Sequence, residues 1–247
     1  MSRFKLTLEY DGTPFSGWQR QEDGIPTVQG MLEEAFADFL GEPTTIWGSG
    51  RTDAGVHAKE QVAHVDIEKS YAPFAIQGAL NKRLHDVPIS ILKVEEVSDD
   101  FHARFSTTSR AYEYKIINRR APLALEKNRA WWVIPPLSLE AMNEGAAYLI
   151  GHHDFTSFRD SQCQAASPFK TLDVLKVEQK GDLIVIKAKA LSFLHRQVRN
   201  MVGTLKLVGE GVWPPEKVKE ILEACDRRAA GPTAPPEGLY LSEIKYD

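Results

Sequence analysis

The apolar residues of this chain recur with two different periods. Between Phe4 and Tyr10 every second residue is apolar, which predicts a half-buried strand. Between Val28 and Phe39 the apolar residues recur at the spacing of a helix face, which predicts an amphipathic helix beginning after Pro26-Thr27 and ending before Gly41. The same two patterns alternate to the end of the chain.

The remaining apolar patterns complete a mixed set of strands and helices. We predict strands over 46–47, 61–67, 89–97, 112–116, 172–177 and 183–188 and from Leu239, and helices over 73–84, 139–150, 194–208 and 216–224. Interleaved helices, strands and hairpins predict an α+β fold with a mostly antiparallel or mixed sheet. The polar stretch Ser106–Arg110 is the predicted boundary, which gives an N-terminal half at 1–106 and a C-terminal half at 107–247.

The composition is that of a globular protein. The chain has 247 residues, of which 43% are hydrophobic and 26% charged, and this excludes a disordered chain. No apolar run approaches the ~20 residues that a membrane-spanning helix needs, and the first residues lead into a strand pattern rather than a signal region. The two cysteines, Cys163 and Cys225, fit a reducing cytosol, so we expect a cytoplasmic protein without membrane contact.

The charge of the chain is unevenly distributed. The net charge of −4 argues mildly against a nucleic-acid-binding protein. Between Phe101 and Trp132, however, seven cations stand against two acids, a local excess of +5. Such a stretch can form a phosphate-binding surface, although a solvated charged face is the commoner outcome of a charge run alone.

The segment Gly48–Ala58 combines three glycines with Arg51, Thr52, Asp53 and His57. Glycines permit unusual backbone angles and leave room for a ligand, and a carboxylate beside a cation suits a nucleophile or base. By pattern alone, a tight turn with an exposed Asp53 is the more frequent alternative. A single loop histidine such as His57 is more often a structural hydrogen-bonding residue than a proton carrier.

Two further segments carry candidate site residues. Tyr112 and Tyr114 share one strand face, so either ring could be a core aromatic or could stack on a nucleotide base. Arg199 lies on the flank of the apolar stripe of its predicted helix, where it could extend to solvent or pair with Asp53. The pattern leaves both choices open.

Other site signatures are weak. His152-His153-Asp154 has a poor spacing for a metal site, and we interpret Gly151–Phe155 as a turn after a helix. The sequence contains no phosphate-binding loop, no dinucleotide fingerprint and no nucleophile elbow.

Six segments, in order along nearly the whole chain, resemble the tRNA pseudouridine synthase A family. They are Gly50–His57, Asp99–Ser106, Tyr112–Tyr114, His153–Arg159, Val198–Gly203 and Ala234–Leu241. The first is highly specific, whereas the others gain weight from their order. No catalytic position departs from the family pattern.

The resemblance implies two similar α/β halves that share a continuous sheet, with the active-site cleft between them. It implies a homodimer that binds the anticodon arm of tRNA and isomerises uridines at positions 38 to 40, with no metal and no small-molecule cofactor. It makes Asp53 the catalytic aspartate, Tyr112 the tyrosine against a flipped-out base, and Arg199 the cation paired to Asp53. The residues that we assign to substrate binding are Tyr112, Gly50, Arg51, Thr52, His57, Arg104 and Arg110.

Three functions therefore compete. The first is a tRNA uridine isomerase, in which Asp53 could attack C6 of the base, attack C1′ of the sugar, or abstract a sugar proton. The second is an RNA-binding or tRNA-folding protein without chemistry, which predicts that Asp53→Asn changes nothing. The third is a metal-dependent nuclease or hydrolase using Asp53, Asp154 and the histidines, which predicts sensitivity to chelators. The ordered motifs favour the first.

Overall fold

The structure, a computed structural model, describes residues 1–22 and 24–246, and these residues include ten strands and five α-helices. The strands are β1 (Ser2–Tyr10), β2 (Trp47–Gly48), β3 (His57–Ile67), β4 (Ile89–Val97), β5 (Thr107–Asn118), β6 (Trp131–Val133), β7 (Gly151–Asp154), β8 (Phe169–Lys180), β9 (Leu183–Ala190) and β10 (Leu239–Tyr246). The helices are α1 (Val28–Leu40), α2 (Pro73–Arg83), α3 (Leu139–Ala147), α4 (Gln197–Gly209) and α5 (Lys217–Ala224). The predicted α+β class is confirmed.

The chain divides into two units. The first comprises Met1–Thr108 and the chain from Tyr240 onward, and the second comprises Ser109–Leu239. The predicted boundary places the last strand in the C-terminal half, whereas the structure groups nearly all of it with the first unit. The reason is that Tyr240 and Leu241 pair in parallel with His57 and Ala58 of β3.

The first unit contains strands in the order β4-β1-β3-β10, with β2 paired to β3. The predicted alternation in β1 holds, since Phe4, Leu6, Leu8 and Tyr10 are each at most 4% exposed. Burial of each such side chain contributes roughly 1.5–3 kcal/mol to folding. Helix α1 begins and ends as its sequence predicts: Thr27 Oγ1 accepts a hydrogen bond from the Gly30 amide, and Gly41 takes a left-handed conformation with φ 81°.

The second unit contains strands in the order β5-β9-β8-β7, with β6 paired in parallel to β5. The hairpin β8–β9 turns at Gly181, and its long antiparallel register runs from Lys180 opposite Leu183 to Leu172 opposite Ala190. Helix α3 contacts both α4 and β8. No helix among the described residues is both long enough and apolar enough to cross a bilayer.

Two local predictions are wrong. Helix α4 begins at Gln197 rather than at Leu194, because Arg196 has a left-handed backbone with φ 59° that no helix interior tolerates. Residues 151–154 form the short strand β7 rather than a turn, because they pair with β8 from Gly151 opposite Leu172 to Asp154 opposite Phe169. A four-residue edge strand is too short to show a period.

Candidate active site

The glycine-rich segment joins two paired strands of the first unit. Trp47 and Gly48 of β2 pair antiparallel with His64 and Ala63 of β3. The chain leaves this pair after Gly48 and returns at His57, so residues 49–56 are the loop of a hairpin. We call them the Asp53 loop. A loop whose two ends belong to one paired unit is well placed to hold a reactive side chain.

Hydrogen bonds from distant parts of the first unit fix the backbone before Asp53. The Thr52 carbonyl accepts from the Trp18 amide at 3.1 Å, and Thr52 Oγ1 lies 2.8 Å from the Tyr10 hydroxyl. The Gly50 carbonyl accepts from Gln61 Nε2 at 3.0 Å. The backbone is therefore anchored at both residues that flank Arg51.

The backbone after Asp53 is anchored as well. The Val56 amide donates to the Asp53 carbonyl at 3.1 Å, and the Gly55 amide donates to the Phe15 carbonyl at 3.3 Å. Asp53 is half-buried, while Arg51 is exposed. The loop thus presents a partly desolvated carboxylate on a backbone held from both sides, as a reacting group requires.

Two glycines outside the motif make this packing possible. A Cβ atom on Gly12 would lie 2.0 Å from the Val56 carbonyl oxygen, and one on Gly17 would lie 2.7 Å from the Thr52 carbonyl oxygen. Gly17 also has a φ of +97°, which side chains rarely adopt. Neither glycine stands out in the sequence, because the role of each depends on a close approach between segments about 40 residues apart.

His57 is the first residue of β3, directly after the Asp53 loop, and only 2% of its surface is exposed. The Gly12 amide donates to His57 Nδ1 at 3.0 Å, which places the proton of a neutral ring on Nε2. The Asp11 carboxylate lies 3.1 Å from the same nitrogen, and the ring stacks on Tyr240 with centroids 4.6 Å apart. These are structural contacts of the kind expected for this histidine, whereas its role in substrate binding stays a prediction.

His64 is a second buried histidine of β3, and it links β2 to the segment that carries Arg104. It stacks on Trp47, and its Nδ1 accepts from the Ala103 amide at 3.2 Å. Burial, together with the nearby His102 and Arg3, lowers the pKa of His64 to about 4. The folded state therefore favours the neutral ring.

This pKa predicts an acid-sensitive fold. Unfolding restores the ordinary pKa of about 6.5, so the unfolded chain binds more protons between pH 6.5 and 4, and stability is lost as the pH falls through that window. We expect His64→Gln to remove about 2 kcal/mol of the stability difference between pH 7 and pH 5, measured by urea unfolding. His85→Gln, at an exposed histidine, should leave the difference unchanged, and equal pH dependence in both variants would contradict the assignment.

The two tyrosines of β5 differ in how deeply they are buried in the second unit. Tyr114 is fully buried: its hydroxyl donates to the Pro235 carbonyl at 2.7 Å, and a Cβ on Gly238 would meet its ring at 2.6 Å. Burial raises the pKa of Tyr114 far above its usual value. Tyr112 is only half-buried and meets Phe193 edge-on at 5.2 Å. Tyr114 is therefore a core residue, and Tyr112 is the partly accessible ring.

Arg199 in α4 is half-buried, and its backbone and side chain both bind Ala234. Its Nε donates to the Ala234 carbonyl at 2.8 Å, and its own carbonyl accepts from the Ala234 amide at 3.1 Å. Its neighbours on the helix, Val198 and Val202, are buried. The direction of its side chain is therefore set by the protein rather than by solvent.

The two other predicted arginines differ in exposure. Arg104 is exposed, and its guanidinium lies 5.5 Å from the ring centroid of the exposed Phe105. Arg110 is half-buried and donates from Nη1 to the Leu191 carbonyl at 2.6 Å. The structure thus assigns Gly50, Arg51, Thr52, Asp53, His57 and Arg104 to the first unit, and Arg110, Tyr112 and Arg199 to the second.

The residues of the metal hypothesis make other contacts. His152 stacks on Phe169, His153 Nε2 hydrogen-bonds the Ile150 carbonyl, and an Asp154 oxygen accepts from the Thr156 amide. Within residues 1–22 and 24–246, no three His, Cys, Asp or Glu side chains are grouped as metal ligands.

Comparison with known proteins identifies the family. The sequence profile described as tRNA pseudouridine synthase matches residues 7–106 and 146–247. A tRNA pseudouridine synthase A of Paramagnetospirillum magneticum is 57% identical over 246 residues, covering all of this chain and 96% of that protein. Proteins of the same name from Sinorhizobium medicae and Parvibaculum lavamentivorans are 54% and 52% identical, and each match covers the full length of this chain and of the relative. The chain therefore belongs to the tRNA pseudouridine synthase family, whose members are isomerases that convert uridine to pseudouridine.

Proposed function

We propose that this enzyme isomerises uridines at positions 38 to 40 of the tRNA anticodon arm, with Asp53 as the catalytic carboxylate. The observation that carries the proposal is the Asp53 loop, in which a half-buried carboxylate stands on a backbone anchored at Gly50, Thr52 and Gly55. A structural turn would not need anchors from β1, from β3 and from the segment around Trp18.

The reaction needs no outside reagent. The bond from C1′ to N1 breaks, C1′ joins C5 of the same ring, C5 gives up a proton and N1 gains one. Asp53 acts in one of three ways, by attack at C6, by attack at C1′ or by removal of a sugar proton. Each requires the ionised carboxylate, which a nearby cation favours. We assign that cation to Arg199, whose guanidinium is already tied to Ala234.

In this proposal Tyr112 and three arginines bind the RNA. The target base has to leave its stack at a cost of a few kcal/mol, and stacking on a half-buried ring offsets part of that cost. Arg51, Arg104 and Arg110 contact phosphates, which positions the RNA without reading its sequence. The proposal requires Asp53 of the first unit and Tyr112 and Arg199 of the second to meet at one nucleotide. It further includes a cytoplasmic homodimer that works without metal or small-molecule cofactor.

Nucleotide-resolved mapping tests the site of action. The purified protein is incubated with unmodified tRNA transcripts whose anticodon arm carries uridine at 38, 39 or 40, and pseudouridine is located by chemical mapping. We expect conversion at these positions and no conversion in a matched transcript with cytidine there. Conversion confined to another arm would overturn the proposed position while leaving the isomerase activity standing. A protein that binds the transcripts and converts nothing would support the non-catalytic alternative.

Tyr112 gives a prediction about the base-contacting ring. Tyr112→Ala should weaken productive binding of tRNA by roughly 10-fold or more, since stacking on an aromatic ring is worth about 1–3 kcal/mol per base. Tyr112→Phe keeps the ring and should retain near wild-type KM. Phe169→Ala, at a half-exposed aromatic residue of the same unit, is the matched control. Equal effects of Tyr112→Ala and Phe169→Ala on KM would argue against stacking at Tyr112.

A further inference from the structure

A short segment of the second unit lies directly against α4. Residues 231–234, which we call the 231–234 segment, come so close to the helix that a Cβ on Gly203 would lie 1.7 Å from the Pro232 carbonyl oxygen. The Gly231 amide donates to Thr204 Oγ1 at 3.0 Å. The segment ends at Ala234, the residue that holds Arg199 by two hydrogen bonds.

The side chain of Arg227 joins the segment to the helix. Its Nη2 donates to both Asn200 Oδ1 and Thr233 Oγ1 at 3.1 Å, and its Nη1 donates to the Gly231 carbonyl at 3.0 Å. Thr233 Oγ1 donates in turn to Asn200 Oδ1 at 2.7 Å. A single guanidinium therefore holds the segment at two residues and the helix at one.

The Asn200 side chain, to which Arg227 and Thr233 both donate, is itself held in one orientation. This side chain is fully buried, and its Nδ2 donates to the Phe158 carbonyl at 2.8 Å. Both ends of the amide are thus satisfied, which fixes its orientation. Asn200 directly follows Arg199 in α4, so the network meets the helix beside the residue whose side chain it would orient.

We propose that Arg227, Asn200 and Thr233 are positioning residues that orient the Arg199 guanidinium by immobilising the Ala234 carbonyl. The inference rests on the proposed function, in which Arg199 is the cation beside Asp53. A guanidinium whose Nε is bound to a fixed carbonyl points its outer nitrogens in one direction without reorganisation during the reaction. Loss of the network would leave the cation present but poorly directed.

The test compares Thr233→Val and Arg227→Met with Arg228→Met. Valine keeps the shape of threonine without its hydroxyl, and Arg228 is a 91% exposed neighbour that pairs with Asp226. We expect the first two variants to speed amide hydrogen exchange in residues 231–234 and to lower kcat about 10-fold, with KM for tRNA within about 2-fold of wild type. Arg228→Met should change neither the amide exchange of residues 231–234 nor kcat. Unchanged exchange in Thr233→Val would overturn the network, and faster exchange with an unchanged kcat would overturn its link to the reaction.

Coupling to Arg199 separates positioning from general destabilisation. In an Arg199→Lys background, which lacks the Nε–H that binds Ala234, Thr233→Val should lower the single-turnover rate by less than about 2-fold. An equal loss in both backgrounds would show a merely structural role and overturn the inference. A wild-type rate for Arg199→Lys alone would instead refute the proposed part of Arg199, and the inference with it. If Arg199→Lys alone is slow but Thr233→Val alone, with Arg199 intact, reacts at the wild-type rate, the part of Arg199 stands and only the positioning inference is refuted.

Discussion

Asp53→Asn is expected to lower kcat for pseudouridine formation by about 10³-fold or more, the size of loss seen when a reacting side chain is removed. Asparagine has nearly the same shape, and the substitution leaves in place the backbone hydrogen bonds of Gly50, Thr52, Asp53 and Gly55 that anchor the loop. The melting temperature and the affinity for tRNA should therefore stay close to wild type. Steady-state rates, a binding titration and a thermal scan check the three quantities.

A matched substitution controls for the loss of one negative charge from the first unit. Asp86→Asn changes the same charge at an 86% exposed carboxylate of the first unit and should leave kcat unaltered. If Asp53→Asn lowered the melting temperature as well as kcat, and the loss of folded protein accounted for the loss of kcat, Asp53 would have a structural role. A kcat within about 2-fold of wild type would remove it from the chemistry altogether.

Arg199→Met is expected to reduce kcat by roughly 100-fold, the order of loss found when a single charge-stabilising donor is removed from an active site. Methionine keeps an unbranched apolar stem but removes the charge and the hydrogen bond to Ala234. Arg199→Lys restores the charge without that hydrogen bond and should fall between methionine and wild type. Rates at saturating tRNA measure this order directly.

The control for Arg199 is Lys206→Met, a cation of the same helix that pairs with Glu210 at 2.7 Å. It should leave kcat at saturating tRNA unchanged. If Arg199→Met and Arg199→Lys were equally slow, the hydrogen bond to Ala234 rather than the charge would be the important feature. If Arg199→Met retained wild-type kcat, the cation beside Asp53 would have to be another residue.

Elements whose signals are local could be predicted from the sequence. Helix α1 is an example, because its apolar stripe, its Thr27 cap and the left-handed Gly41 all lie within 15 residues. The short strands β6 and β7 escaped prediction, since three or four residues show no period and their pairing partners lie elsewhere in the chain. The start of α4 was misplaced because nothing in the residue type announces the left-handed Arg196.

The candidate site divides in the same way. The Asp53 motif is visible in the sequence, but its support by Gly12, Gly17 and Trp18 is not, because those contacts arise only on folding. The choice between Tyr112 and Tyr114 was open for the same reason. The contacts of Tyr114 with Pro235 and Gly238 span about 120 residues, and they place this ring in the core.

We propose, centrally, that the Asp53 carboxylate, with Arg199 as its cation, rearranges a uridine of the anticodon arm without a metal ion or a small-molecule cofactor. The most direct measurement is the single-turnover rate of pseudouridine formation, with enzyme in excess over unmodified tRNA and with EDTA present, for wild type and for Asp53→Asn. We predict full conversion at positions 38 to 40 by the wild-type protein and a rate about 10³-fold lower for Asp53→Asn. Equal rates for the two proteins, or a wild-type reaction that stops in EDTA, would contradict the account.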